Sequence, residues 1–146
     1  MLSNSCRYGI RAVIYVASRQ KNSGKTGIKT ISKALALPTP YLAKILQQLA
    51  KHKILRSAKG PHGGFSMLRD PGKVTLLDII EIIDGDDFFK NCIIHDGTCA
   101  CVDEKILPCP LHDEYGTLRS GLIDLFSKKT IYDLAKKANE DSTVTI

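Results

Sequence analysis

Four of the five cysteines of this chain lie close together in the sequence, and a histidine follows just beyond them. These residues are Cys92, Cys99, Cys101, Cys109 and His112. Thiolate and imidazole groups are the side chains that soft and borderline metal ions bind in preference to water. The stretch also carries several Gly and Asp residues and lies between two segments of helical pattern. The sequence therefore predicts a metal centre in a loop.

Two sets of four ligands from this stretch suit an iron–sulfur cluster of the 2Fe–2S or 4Fe–4S type. One is the all-thiolate set of Cys92, Cys99, Cys101 and Cys109, and the other is the set of Cys92, Cys101, Cys109 and His112. Cys99 and Cys101 are separated by a single residue, which crowds them on one cluster, so the set with Cys101 and His112 is preferred. His95 is a minor candidate. Zinc in the same loop, or no metal and free cysteines, is the alternative.

The overall composition is typical of a globular protein of 146 residues, with 43% hydrophobic and 25% charged residues. No apolar run approaches the length of a membrane span, and the N-terminus lacks the charged and apolar regions of a signal peptide. We therefore expect a cytoplasmic protein with no membrane partner. In the cytoplasm thiols stay reduced, and clustered cysteines more often indicate metal or redox chemistry than disulfides.

Charge is distributed very unevenly along the chain. Residues 1–69 contain thirteen Lys or Arg and no acid, whereas residues 70–146 contain eight Lys or Arg and all fifteen acids. The two parts thus carry +13 and −7, which sum to the net charge of +6. A long segment without acids indicates a polyanionic partner, because each Lys or Arg at a phosphate releases condensed counterions. Double-stranded DNA is the partner that we expect.

The basic part contains the pattern of two short helices joined by a tight turn. Helices are predicted over Tyr8–Arg19, Ile28–Leu37 and Tyr41–His52, with Thr39 as the N-cap of the third helix and Pro40 as its first residue. This arrangement is typical of a helix-turn-helix, whose second helix enters the major groove of DNA. The residues predicted to contact DNA from this helix are Thr39, Pro40, Tyr41, Lys44, Gln47, Gln48 and Lys51.

A β-hairpin is predicted directly after that helix, with strands Ile54–Ser57 and Phe65–Leu68 around a Gly-rich turn. A basic hairpin in this place is typical of the wing of a winged-helix protein, and its glycines allow close approach to phosphates. The wing residues predicted to contact DNA are Ser57, Lys59, Gly60, Pro61, His62, Gly63 and Gly64.

The acidic part predicts three helices. Thr75 and Asp78 form a capping box at the start of an apolar helix over Leu76–Ile83, and Thr130 with Asp133 opens a short last helix, followed by a loose tail. Between them, five apolar residues alternate four and three apart, as in the a/d seam of a coiled coil. They are Leu111, Tyr115, Leu118, Leu122 and Leu125. A chain of this size cannot cover so long a helix, so this seam predicts a homodimer interface.

These patterns predict a mainly α fold with a small β-hairpin wing, namely a winged helix-turn-helix followed by a long C-terminal dimerisation helix. The predicted division is a DNA-binding domain at 1–84, a Cys-rich sensor loop at 85–112 (called the Cys-rich loop below), and a dimerisation helix with a short helix at 113–146. An enzyme is not expected, because the sequence offers no nucleophile–base pair and no paired acids on one helical face.

Over essentially its whole length the chain resembles the iron–sulfur-cluster regulators of bacteria, the IscR/NsrR type of winged-helix transcription regulator. The segments that carry the resemblance are Arg7-Tyr8, Pro38-x-x-Tyr41-Leu42-x-Lys44-Ile45-Leu46, Ser57-x-Lys59-Gly60-Pro61-x-Gly63-Gly64-Phe65, Thr75-Leu76-x-Asp78-Ile79-Ile80 and Cys109-Pro110-Leu111-His112. The resemblance implies a homodimer with crossed long helices. It also implies a cluster near the start of those helices, beside the first helix of the partner.

The resemblance also implies the ligands. The three cluster cysteines of the family fall on Cys92, on Cys99 or Cys101, and on Cys109, and the histidine ligand of some members falls on His112. Other members use a carboxylate near the start of the first helix. Here that region holds Arg7, which cannot bind iron, so the carboxylate mode is excluded unless Cys6 takes its place. The presence of both Cys99 and Cys101 departs from the family pattern.

Overall fold

A computed structural model of the chain describes residues 2–100, 105, 107–140 and 146. The elements are, in order, α1 (Asn4–Ser23), α2 (Ile28–Leu35), α3 (Thr39–Lys51), β1 (Leu55–Ala58), β2 (Gly64–Met67), a 3-10 turn (Pro71–Lys73), α4 (Leu76–Ile83), α5 (Asp87–Lys90), α6 (His112–Lys128) and α7 (Ile131–Glu140). The predicted fold class is confirmed, since the chain is mainly helical with one small antiparallel hairpin. No helix within the described ranges is long and apolar enough to cross a bilayer.

Helix α1 is longer than predicted and forms the centre of the molecule. It begins four residues earlier than expected because the Ser3 hydroxyl caps it, accepting a hydrogen bond from the backbone N–H of Cys6. Val13 and Val16 on α1 are fully buried against Ile31 of α2 and Leu46 of α3. The apolar face of α1 therefore holds the helix-turn-helix in place.

The turn between α2 and α3 is built differently from the prediction. Thr39 is the first helical residue of α3 rather than its N-cap, and Pro38 takes the N-cap position. The Thr39 hydroxyl donates a hydrogen bond of 2.8 Å to the Ser32 hydroxyl, which in turn donates to the Leu37 carbonyl. The hydroxyl that was expected to cap α3 therefore fastens α2 to α3 instead.

The hairpin pairs β1 with β2 in an antiparallel register, from Leu55 opposite Met67 to Ala58 opposite Gly64. A third segment joins it, because Thr26 and Phe65 exchange two backbone hydrogen bonds of 2.8 and 2.9 Å. The loop before α2 thus fixes the base of the wing, which the sequence patterns did not predict.

The capping box of α4 is confirmed, with the Thr75 hydroxyl bonded to the N–H of Asp78 and the carboxylate of Asp78 bonded back to the N–H of Thr75. Helix α4 is less enclosed than expected, because Ile79 and Ile80 are buried while its other apolar residues are half-buried. Backbone bonds also join the start of α4 to the α6–α7 junction, from Leu76 to Lys129.

Helix α6 packs on the molecule along one face, and α7 folds back over α1. Ile123 and Phe126 of α6 pack against the buried cluster of Cys6, Ile80 and Phe89. Thr130 and Asp133 form the predicted caps of α7. The expectation of a loose tail from 139 is wrong at its start, because α7 continues to Glu140, and Ile146 packs against the core. Residues 141–145 lie outside the described part of the chain.

The division of the chain into segments 1–84, 85–112 and 113–146 stays a prediction. Helix α7, from the last segment, packs along α1 of the first, with Ile131 and Ala135 buried in the same core. The end of the chain and the helix-turn-helix therefore share one hydrophobic core in this structure.

Gly64 offers a test of how the wing is held. It has φ +153°, and a Cβ there would lie 2.5 Å from the carbonyl oxygen of Thr26. Gly64→Ala should therefore lower the free energy of unfolding by about 3 kcal/mol, through backbone strain and a clash that the rigid backbone cannot relieve. Gly60→Ala is the matched control, because Gly60 has φ +103° but open space around it, and it should cost only about 1 kcal/mol of strain. Urea unfolding measures both, and equal losses would contradict the proposed packing of Thr26 on the wing.

Candidate metal centre and nucleic-acid interface

The Cys-rich loop contains α5 and, directly after it, a short hairpin. Asn91 and Thr98 form an isolated β-bridge, and the N–H of Cys99 donates to the carbonyl of Lys90 at 2.7 Å. Inside this bridge the N–H of Cys92 donates to Gly97 at 2.9 Å. The two bonds close the hairpin at its base, which we call the neck (residues 90–92 and 97–99), and bring Cys92 and Cys99 to the same end of the hairpin.

Three cysteines and His112 meet at the junction of this hairpin with α6. Cys92 and Cys109 lie close enough for each to affect the pKa of the other, and Cys99 lies near both. Cys99 Sγ lies 3.9 Å from His112 Nδ1, at the first residue of α6. The structure thus brings together Cys92, Cys99, Cys109 and His112. Cys101 lies outside the described residues.

Backbone amides favour the thiolate form of Cys92. The N–H groups of His95 and Ile94 point at its sulfur and hold the pKa of Cys92 below its usual value. Burial raises the pKa of Cys109, and the neighbouring Cys92 raises it further. The thiolate is the form that binds metals, so the backbone amides favour the metal-binding form of Cys92.

The donor set fits an iron–sulfur cluster by its chemistry. Three thiols and one imidazole are a known kind of ligand set for both zinc and iron–sulfur centres. Among the described residues, no group of three or more His, Cys, Asp or Glu side chains is arranged to hold a metal ion. A cluster is held through several iron atoms, so its ligands need not converge on one point. His95 Nδ1 lies 3.5 Å from Cys92 Sγ, at the edge of the set.

Cys6 does not belong to this site. It is fully buried beside Ile80 and Phe89, and burial, together with the nearby Asp84 carboxylate, raises the pKa of its thiol to about 12. Arg7, next to it on α1, is exposed. Cys6 is therefore a protonated core residue and does not replace the absent carboxylate ligand.

Sequence reasoning missed Arg119, which lies in the middle of α6 and is only 4% exposed. Its Nη2 donates a hydrogen bond of 2.7 Å to the carbonyl of Asn91, and its guanidinium lies over the ring of Tyr115, 4.7 Å from the centroid. The available signal was its spacing, because Arg119, Ile123 and Phe126 follow the i, i+4, i+7 pattern of a buried helix face.

Helix α3 presents a polar face on the side away from the core. Lys44, Gln47 and Lys51 are exposed and share this face with Pro40, at spacings of three and four residues. Leu42, Ile45, Leu46 and Leu49 cover the opposite, buried face. The outer face therefore offers amine and amide donors with no carboxylate among them, as a surface for DNA requires.

Three of the predicted DNA contacts on α3 are engaged within the protein. The side-chain amide of Gln48 donates to the carbonyl of Ile82 at 2.6 Å, which ties α3 to α4. The Tyr41 hydroxyl is hydrogen-bonded to the Ser5 hydroxyl, and its ring packs edge-on against Tyr8 of α1. Thr39 bonds Ser32, as described above. Their contacts orient α3, whereas Lys44, Gln47 and Lys51 point away from the protein.

The wing tip is exposed at Lys59, Gly60, Pro61 and His62, and Ser57 is exposed on β1. Gly63 and Gly64 also have a role within the hairpin, and their predicted contact with DNA stays a prediction. A Cβ at Gly63 would lie 2.3 Å from the carbonyl oxygen of Ala58, and the space beside Gly64 is filled by Thr26. The hairpin's own backbone thus requires these two glycines.

The predicted heptad seam lies on the outside of the single chain. Leu118 is 66% exposed, and Leu111, Leu122 and Leu125 are also exposed. The remaining seam residue, Tyr115, is half-buried and packs against the guanidinium of Arg119. Helix α6 therefore carries an outward stripe of leucines on the face next to the one that packs on its own chain.

Known proteins match this chain over nearly all of its length. The Rrf2 family model, described as an iron-dependent transcriptional regulator, matches residues 2–137. An HTH-type transcriptional regulator of Aquifex aeolicus is 34% identical over 135 residues, which are 92% of this chain and 90% of that protein.

Two solved structures have a similar fold. CymR, described as the global cysteine regulator of B. subtilis, superposes with a TM-score of 0.76 at 21% identity, covering 93% of this chain and 96% of that one. IscR of T. potens has a TM-score of 0.71 at 20% identity, covering 100% and 93%. The proteins that match are transcriptional regulators and not enzymes. The chain thus belongs to the Rrf2 family of DNA-binding transcriptional regulators.

Proposed function

We propose that this regulator acts in the cytoplasm as a homodimer, and that an iron–sulfur cluster held in the Cys-rich loop modulates its binding to double-stranded DNA. The observation that carries the proposal is the meeting of Cys92, Cys99, Cys109 and His112 at the start of α6. The resemblance to cluster-binding regulators implies Cys92, either Cys99 or Cys101, Cys109 and His112. Segments 1–84, 85–112 and 113–146 would then bind DNA, sense and dimerise.

The proposed ligands are Cys92, Cys99, Cys109 and His112. When bound, a 2Fe–2S or 4Fe–4S cluster supplies a centre that oxygen, nitric oxide or iron starvation can alter or remove. Cys99 replaces Cys101 of the sequence-based preference, because its buried sulfur faces His112. The loop that these residues hold together connects α5 to α6, so its order determines where α6 begins.

The exposed leucines of α6 support the homodimer. Four leucines in heptad spacing on one face form an apolar stripe that water would otherwise cover, and self-complementary pairing around a two-fold axis removes it from water. A dimer also presents two α3 helices, which can read two half-sites of a palindrome. Because α6 carries both the stripe and His112, a change in the loop can alter the spacing of the two α3 helices.

The surface proposed to bind DNA combines the polar face of α3 with the wing tip. Lys44, Gln47 and Lys51 would lie in the major groove, and Lys59 and His62 would contact the adjacent backbone or minor groove. Tyr41 and Gln48 would act indirectly, by orienting α3 through Ser5 and Ile82. The absence of acids up to residue 69 favours the approach of DNA to this side.

One alternative has support from a specific observation. The neck of the loop is closed by backbone hydrogen bonds of 2.7 and 2.9 Å, which need no metal. The loop could therefore be structural or bind zinc, with a protein or a small molecule controlling the regulator. CymR, which has this fold, is described as the global cysteine regulator of B. subtilis, and this description supports the alternative.

Purification without oxygen distinguishes these functions. We expect a brown protein with visible absorption and bound iron and sulfide, and a DNA affinity that changes when the cluster is removed. Cys99→Ala should abolish both the colour and this change, because it removes a buried ligand, whereas Cys101→Ala is the matched control and should keep them. A brown Cys99→Ala protein beside a colourless Cys101→Ala protein would restore Cys101 as the ligand. A colourless wild-type protein, with or without zinc, would favour the alternative function.

Contacts with DNA are tested on the duplex that the wild-type protein selects from a random-sequence pool. Lys44→Ala or Lys51→Ala should weaken binding by about tenfold and reduce the slope of log affinity against log salt by about one. Lys137→Ala removes the same charge from the exposed face of α7 and should leave both quantities unchanged. Equal losses in all three variants would mean that net charge, rather than the face of α3, determines binding.

The dimer interface is tested by placing a charge in the leucine stripe. Leu118→Glu should convert the dimer to a monomer at micromolar concentration, because two carboxylates would be buried close together at the two-fold axis. Tyr132→Glu is the matched control, since Tyr132 is 51% exposed on α7, away from the stripe. Sedimentation equilibrium measures the mass. A monomeric wild-type protein, or a dimer that tolerates Leu118→Glu, would contradict the proposed interface.

A further inference from the structure

Arg119 joins the neck of the Cys-rich loop to α6. We infer that Arg119 is a positioning residue that fixes the neck to the dimerisation helix and so transmits the state of the loop's cysteines to α6. The transmission of the loop's state to α6 rests on the proposed function, whereas the attachment of the neck to α6 by Arg119 does not.

The contact is made at the residue that precedes the first proposed ligand. Nη2 of Arg119 donates to the carbonyl of Asn91 at 2.7 Å, and Asn91 lies between α5 and Cys92. The same residue forms the β-bridge with Thr98 that closes the neck. A guanidinium donates strong, directional hydrogen bonds and stays charged at every physiological pH. The neck therefore cannot move relative to α6 without breaking this bond.

One face of α6 carries every part of the connection. His112, the proposed ligand, is the first residue of the helix, Arg119 follows two turns later, and Ile123 and Phe126 continue the face into the buried cluster around Phe89. His112 and Arg119 line the same open cleft between α5 and α6. The adjacent face of α6 carries the exposed leucines. A shift of the neck is thus passed to a rigid helix whose neighbouring face is the proposed dimer interface.

The Tyr115 ring stabilises this arrangement. The guanidinium of Arg119 lies 4.7 Å from the ring centroid, within the range of a cation–π interaction. Tyr115 also belongs to the predicted heptad seam. The Arg119 guanidinium therefore donates a hydrogen bond to the neck and lies over the ring of Tyr115, a residue of the predicted seam. Arg119 thus links the loop directly to the seam.

The first arm of the test uses metal-free protein, so it does not depend on any cluster. In Arg119→Met, hydrogen exchange of the amides of Cys92 and Cys99 should become about tenfold faster, because the neck loses a charged hydrogen bond while the side chain keeps its length. Lys128→Met removes a cation from the exposed end of α6 and should leave the exchange unchanged. Asn91→Ala should also be neutral, because Arg119 bonds the backbone carbonyl of that residue. Unchanged exchange in Arg119→Met would overturn the inference.

Arg119→Lys keeps the charge and tests the positioning role of Arg119 even if Arg119→Met does not fold. Lysine offers a single ammonium in place of the planar fork, so exchange at the neck should be intermediate, about threefold faster than in the wild type. Wild-type exchange in Arg119→Lys, together with an insoluble Arg119→Met, would mean that only the buried charge matters, and would overturn the positioning role.

The second arm measures transmission as a ratio, the DNA affinity of the iron-loaded protein divided by that of the metal-free protein. A wild-type ratio that differs from one supports the proposed function. In Arg119→Met this ratio should approach one, while the affinity of the metal-free form stays at the wild-type value. A wild-type ratio of one would refute the proposed function but not the attachment of the neck to α6, because the hydrogen-exchange experiment tests that attachment separately. A wild-type-like ratio in Arg119→Met would overturn the transmission.

Discussion

Helix α1 passes between α3 and α4, and its backbone contacts both at Gly9. A Cβ on this residue would lie 2.3 Å from Cδ1 of Ile83 and 3.2 Å from Cγ2 of Ile45. The contact is close because residue 9 has no side chain, and it places α3, which faces outward toward DNA, in a fixed relation to the end of α4. The Cys-rich loop begins just beyond Ile83. The outer face of α3 and the start of the Cys-rich loop are therefore positioned relative to each other by the contact at Gly9. A core packed this closely transmits a displacement rather than absorbing it.

Polar bonds strengthen the same junction. Gln48 of α3 donates to the Ile82 carbonyl, and both the amide and the hydroxyl of Ser3 donate to the Asp84 carboxylate at the end of α4. Gln48 belongs to α3 and Ser3 caps α1, so these bonds join the end of α4 to two helices and hold the start of the Cys-rich loop from two sides. Among the described residues of the loop, Phe89, Cys99 and Cys109 are the buried ones. A firmly held base below a loop with few buried side chains among those residues suits the proposed switch.

Local interactions could be predicted from the sequence, and tertiary ones could not. The Thr75–Asp78 capping box was predicted correctly, because both partners lie within one helical turn and need nothing else. Thr39 has the same kind of hydroxyl, yet it bonds Ser32, seven residues away, because the fold of the α2–α3 turn brings that partner closer. Arg119 was missed for the same reason. A buried arginine is explained only by the carbonyl that receives it, and that carbonyl is 28 residues away in the sequence.

The choice between Cys99 and Cys101 shows the same contrast between local and tertiary information within the site. The spacing of the two residues predicts crowding on one cluster, and this led to a preference for Cys101. In the structure the bridge between Asn91 and Thr98 directs the amide of Cys99 to the carbonyl of Lys90, and the sulfur of Cys99, near His112, is only 3% exposed. A ligand held by such backbone constraints loses little conformational entropy when it binds. Preorganisation of the neck, which Arg119 contacts from α6, therefore supports the proposal of Cys99 as the third thiolate.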